Sequence, residues 1–225
     1  MITRAAMWRS ANVGLTVTAW SVVLAASMSA QDHHSGCDTP VSKRTNEVGC
    51  YTTATRVLGA MPKGPVFWHL YNYPTRAAAE VVMGPRGTVV EAFGRVWLYA
   101  IEEERWRPST GERVAAIGPL PVASGKQYTA KYMEVVFRPG MEGVPHRHSG
   151  PEAWYVLTGA QCLETPDSIM VRHAGESGIV PEGLPMNIKA IGTEMRRAVF
   201  LVLHDSAKPW MSIASDWKPK GLCPE

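Results

Sequence analysis

The chain has little charge imbalance: 23 Lys and Arg stand against 20 Asp and Glu among its 225 residues, a formal net charge of +3. A basic face broad enough to follow a phosphate backbone is not present, which excludes nucleic acid as the expected partner. Long apolar runs are also missing. The run at residues 13–26 falls short of the ~20 residues that a membrane-spanning helix needs. No low-complexity tract suggests a disordered protein, and none of the four cysteines stands in a zinc-type CxxC pair.

What is present begins with an address. Arg4 and Arg9 precede the apolar run and the small-residue stretch "SMSA" follows it, the order of a secretory signal at residues 1–30. An uncleaved anchor is the alternative, since Met28 suits the −3 position poorly. Removing residues 1–30 leaves 21 basic against 20 acidic residues, and the body is expected in the periplasm or outside the cell, with no membrane contact after cleavage. A cut after Ala30 would expose Gln31, Asp32 and His33, and a histidine third from a free amine can wrap Cu(II) or Ni(II) in a square plane. In an oxidising compartment the cysteines are expected to pair. Cys37 with Cys50 is the favoured bridge, closing a short polar loop for about 3 kcal/mol. Cys162 either joins Cys223 or stays a buried free thiol.

Further along, "PVFWHLYNY" reads as a strand, "PTRAAAEVVM" as a helix opened by Pro74 and Thr75, and "GTVVEAFGRVWLYAIE" as strand again. Residues 31–127 are thus expected to be a small α/β segment, its charged stretch "EEERWRPSTGERV" a surface connection; a worn-down copy of the following domain over residues 50–120 stays open. Residues 128–205 follow as seven short apolar stretches, from "QYTAKYMEVVF" to "RRAVFLVLHD", broken by Gly, Pro or Asp. That spacing argues an antiparallel sandwich or barrel. Residues 206–225, with Trp210 and Trp217, read as an irregular strap across the body.

The chemistry concentrates in "GMEGVPHRHSGPEAWYVLTG", residues 140–159. On a strand, positions two apart share a face, so His146 and His148 can converge on one ion, and Glu152 can reach the same point after the bend Ser149-Gly150-Pro151. Two imidazoles and a carboxylate with open positions suit a divalent transition metal: Fe, Mn, Ni, Zn or Cu. Trp154 and Val156 share the parity of Glu152 and are expected to line the pocket, while Tyr155 and Leu157 face a sheet or a partner subunit. Cys162 and Met186 are further pocket candidates. His69, His173, His204 and Asp205 read as hydrogen-bonded or surface groups outside the site.

This stretch resembles the first motif of the cupin superfamily, G-x5-H-x-H-x3,4-E-x6-G, with Gly140, His146, His148, Glu152 and Gly159 in all five fixed positions. The second motif, G-x5-P-x-G-x2-H-x3-N, finds Gly175, Pro181 and Gly183 in register, but Met186 stands where the ligand histidine belongs and Ala190 where the asparagine does. The resemblance covers roughly residues 128–205. It implies a mainly β protein, a cupin-type antiparallel jelly-roll barrel preceded by the α/β segment. It also implies a metal-dependent enzyme, of dioxygenase, isomerase or lyase type, acting on a small organic molecule, with a homodimer possible. The alternatives are a non-catalytic small-ligand-binding module and a copper-handling protein that uses the Met186 thioether.

Overall fold

The computed structural model describes residues 37–225, so the signal segment and the Gln31-Asp32-His33 copper motif lie outside the described residues. Fourteen strands follow one another: β1 Gly49–Ala60, β2 Phe67–Tyr73, β3 Gly87–Ala92, β4 Arg95–Glu102, β5 Glu112–Ile117, β6 Gln127–Phe137, β7 His146–His148, β8 Glu152–Thr158, β9 Ala160–Glu164, β10 Ile169–His173, β11 Ser177–Val180, β12 Asn187–Ile191, β13 Arg196–Asp205 and β14 Met211–Ile213. One helix, α1 Arg76–Glu80, stands between β2 and β3. The fold is mainly β.

Every strand pairing is antiparallel, and the strands form four sheets ordered β1-β6-β13-β8-β11, β10-β9-β12, β14-β7 and β3-β4-β2-β5. The five-stranded sheet is covered on both faces. Along β6, Tyr128, Ala130 and Tyr132 pack on Trp68, Trp97 and Tyr99 of the four-stranded sheet, whereas Met133, Val135 and Phe137 pack on Leu163 and Ile188 of the three-stranded one. β13 divides in the same way, Val199, Leu201 and Leu203 to one side and Ala198, Phe200 and Val202 to the other. Double coverage explains why "AVFLVL" and "YMEVVF" read as nearly continuous apolar runs instead of alternating ones. Each large aliphatic side chain buried this way contributes about 1.5–3 kcal/mol.

Ahead of residue 128 the chain is richer in strand than expected. β1 pairs along its length with β6 and so joins the barrel's own sheet. The expected helix is limited to one turn and a half: the Thr75 hydroxyl caps it by accepting from the Ala78 N–H at 3.2 Å, Gly84-Pro85 follow soon after, and Ala79 alone of its residues is buried. β5 starts at Glu112, inside the stretch read as a surface connection. β2 to β5 form one sheet with no facing partner sheet of their own among the described residues, so they are not a second barrel. They back the five-stranded sheet, and Tyr155 and Leu157 pack against that core, as their strand parity required.

Both candidate disulfides are formed, Cys37–Cys50 and Cys162–Cys223, consistent with an oxidising compartment. No helix of the described residues is long and apolar enough to cross a membrane. The tail is more regular than a strap: β14 pairs with β7, and the Leu222 N–H donates to the Glu164 carboxylate at 3.0 Å.

Candidate metal centre

β7, a turn and β8 bring His146, His148 and Glu152 together, with their ligand atoms all within 4.8 Å of one another. The turn is tight for a reason. A Cβ on Gly150 would lie 2.0 Å from the Leu203 carbonyl oxygen, so only glycine lets β7 and β8 fold back beside β13 here. At the far end of β8, Gly159 turns the chain into β9 at φ 68, and a Cβ there would meet the Arg196 backbone at 3.0 Å.

Each imidazole is held by its other nitrogen. Nδ1–H of His146 donates to the Val144 carbonyl at 2.8 Å, and Nδ1–H of His148 donates to the Trp210 carbonyl at 3.0 Å. Carbonyls only accept, so Nδ1 of each ring carries a hydrogen, an arrangement found around metal-ligating histidines. Nε2 of His148 lies 2.8 Å from Oε2 of Glu152, yet that nitrogen makes no hydrogen bond. A buried ring nitrogen and carboxylate oxygen this close need a cation between them, either a proton or a metal ion. The donor set fits a divalent transition metal.

Behind the ligands the indole of Trp210 stacks on His148, ring centroids 5.4 Å apart and planes 18° from parallel, while its Nε1–H donates to Asp38 at 3.1 Å. Lys131 also binds Asp38, at 2.8 Å, and lies 4.6 Å over the same indole. The tail therefore orients one of the two imidazoles.

The motif and the strand–turn–strand that carries it now coincide residue for residue, inside a barrel of antiparallel strands. Solved structures with a similar arrangement include a cupin superfamily protein from Desulfitobacterium hafniense, 15% identical, covering 38% of this chain and 74% of that one at a TM-score of 0.32. A double-stranded β-helix protein from Klebsiella pneumoniae is 19% identical over 43% of this chain and 81% of that one, at a TM-score of 0.35. An oxalate oxidase is 21% identical over 38% of this chain and 46% of that one, at 0.33. No protein-family model and no curated protein matches the chain.

The barrel interior has a cavity of ≈ 60 Å³, room for a few water-sized groups at about 15 Å³ each. His146, His148 and Glu152 line it, together with Val135, Phe137, Ile188, Phe200, Trp210, Arg196 and the Cys37–Cys50 bridge. The aromatic wall expected of Trp154 is supplied by Phe137, Phe200 and Trp210. Trp154 faces inward on β8 but stacks behind Phe200 at 6.2 Å, in the packed interior with Val156 and Met186. Cys162 needs correction: it lies on the opposite face of β9 from Leu163, bonded to Cys223 and packed with Ala160 and Ile191. Strand parity is the reason, since Leu163 takes the inward position. Met186 sits across from His146, each N–H donating to the other's carbonyl at 2.9 and 3.0 Å, which is where the second motif puts its ligand. Its side chain is buried among the apolar groups of the interior.

Among the residues passed over, Arg196 stands out. It opens β13, shares the inward parity of Ala198, Phe200 and Val202, is 0% exposed, and has no hydrogen-bond partner on any of its three guanidinium nitrogens among the described residues. Its guanidinium lies 4.4 Å from the Phe137 ring centroid and 5.5 Å from that of Phe200. Burial pulls its pKa down to about 9, partly offset by the Glu152 charge, so it stays cationic at neutral pH. Ring-face contact is worth about 0.5–2 kcal/mol, against a cost of several kcal/mol for desolvating the cation. The adjacent pair Arg196-Arg197 reads as a surface pair in sequence; only the period of two along "RRAVFLV" separates the inward member from the outward one.

The other described histidines are not part of the ligand group. His69 on β2 hydrogen-bonds through Nε2 to the Glu103 carbonyl at 2.9 Å. His204 bonds through Nδ1 to the Asp205 carbonyl at 3.0 Å, and His173 ends exposed β10.

Proposed function

We propose that the chain is an exported, metal-dependent enzyme acting on a small organic molecule, with His146, His148 and Glu152 holding a divalent transition metal. The observation that carries this reading is the grouping of His146, His148 and Glu152 with ligand atoms within 4.8 Å of one another, each imidazole steadied by an Nδ1–H bond to a backbone carbonyl. A bound metal of this kind would supply Lewis acidity or oxygen chemistry in its open positions. The chain's own residues do the rest. Phe137, Phe200 and Ile188 exclude water from the cavity, and Trp210 stacks on one ligand ring and fixes its plane. The two disulfides and the signal-like residues 1–30 support export.

Elemental analysis of protein purified without chelators tests it. The expected result is near-stoichiometric transition metal in the natural chain and its loss in His148→Ala at unchanged circular dichroism. Natural protein that is folded and free of metal sinks the proposal. Copper handling is the second reading, favoured by the place of Met186 directly across from His146. An unchanged Cu(I) affinity in Met186→Leu rules that reading out.

A further inference from the structure

Arg196 is a buried cation on the cavity wall. Its guanidinium nitrogens are without hydrogen-bond partners among the described residues, and two phenyl rings flank it. As a filler it is a poor choice, because a methionine or leucine would occupy the same space with no charge to desolvate. Glu152 is the acid that acts on it, but that carboxylate is engaged with His148 at 2.8 Å and belongs to the metal-ligand set. Were a divalent ion held by two imidazoles and one carboxylate, the guanidinium would leave the cavity with an excess of positive charge. An anion is required to complete it.

We propose that Arg196 anchors the carboxylate of a small organic acid inside the barrel, so that the cavity takes a carboxylic acid with a short body. The inference rests on the enzyme reading for its purpose, though not for its physics. The planar guanidinium fork matches a carboxylate with two parallel N–H···O bonds. Val135, Phe137, Ile188 and Phe200 make the remaining wall apolar, which admits a short hydrocarbon body and rejects a second charge other than at the ligand end. A cavity of ≈ 60 Å³ restricts the body to a few non-hydrogen atoms. Arg196 is thereby a specificity residue: it chooses acids over their neutral analogues.

The test is titration calorimetry on the full chain in a carboxylate-free buffer, with acetate and oxalate as acids and acetamide and oxamide as neutral analogues of the same shape. It is run on chelator-treated and on Mn(II)-loaded protein. The expected result is an acid preference of at least about tenfold over the amide in both forms, since a buried charged hydrogen bond is at stake. Arg196→Met, which keeps the apolar volume, should lose that preference while retaining its metal. Arg196→Lys, a point charge, should keep part of it. Should Arg196→Met not fold, the comparison of acid with amide on the natural chain decides alone. Equal binding of acid and amide, no binding of either acid, or unchanged acid affinity in Arg196→Met overturns the proposal. His148→Ala separates the two readings. Loss of metal with the acid preference intact in chelator-treated protein supports both, whereas a metal-free natural chain that still prefers acids sinks the enzyme reading alone.

Discussion

At the scale of single residues, the centre is a set of directions more than a set of distances. Val144 and Trp210 lend carbonyls to the two imidazoles, and those bonds set how each ring is turned. Met186 is 1% exposed and its backbone is bridged to His146. Met186→His is therefore expected to add a third imidazole and raise divalent-metal affinity by roughly tenfold or more, read by competition with a chromophoric chelator. An unchanged affinity would mean that this side chain does not reach the ion. Glu152→Gln makes the complementary case. It keeps the shape and one oxygen but removes the charge, and metal affinity should fall by a similar factor, measured in the same way.

At the scale of elements, the period of two did most of the reading. It sent Glu152 and Trp154 inward and Tyr155 and Leu157 outward, and the strands agree. It also held the answer for Arg196, one side of "RRAVFLV", which two adjacent arginines disguise as surface. β1 was illegible because its Thr, Arg and Gly residues sit on an edge strand whose burial is partial, so no alternation marks it. The pairing of β14 with β7 joins segments about 65 residues apart, and no local pattern carries such a contact. β2 makes its own prediction. His69 is fully buried, and burial lowers its pKa below 6.5 against the pull of the Glu103 carbonyl, with Arg107 and Arg113 pushing the same way as burial. The unfolded chain then takes up the proton first as pH falls through 6.5, so stability is complete above that pH and declines below it. His69→Gln, which keeps an N–H for the carbonyl, should flatten that decline in urea midpoints measured from pH 8 to pH 5. An identical slope would assign the acid sensitivity to other groups, such as His204, whose pKa burial also lowers.

At the scale of the whole molecule, the barrel is a middle layer. One sheet closes the cavity from inside, and β2 to β5 cover the other face of the five-stranded sheet. The start of the described chain and the tail meet at the cavity wall, where Trp210 donates to Asp38 beside the Cys37–Cys50 bridge. Cys162 and Cys223 tie down the tail across a separation of 61 residues. Cys223→Ser is expected to cost about 2–4 kcal/mol in chemical denaturation and to weaken metal binding, since the tail carries the carbonyl that His148 needs. Full stability with full metal affinity would show that β14 holds the tail without help.

The dependence of His148 on Trp210 has a consequence for the order of events during synthesis. Both imidazoles and the carboxylate emerge from the ribosome well before position 213, yet the strand that braces β7 is not made until then. A chain whose last strand has not docked thus leaves the His148 imidazole without the carbonyl that holds its ring.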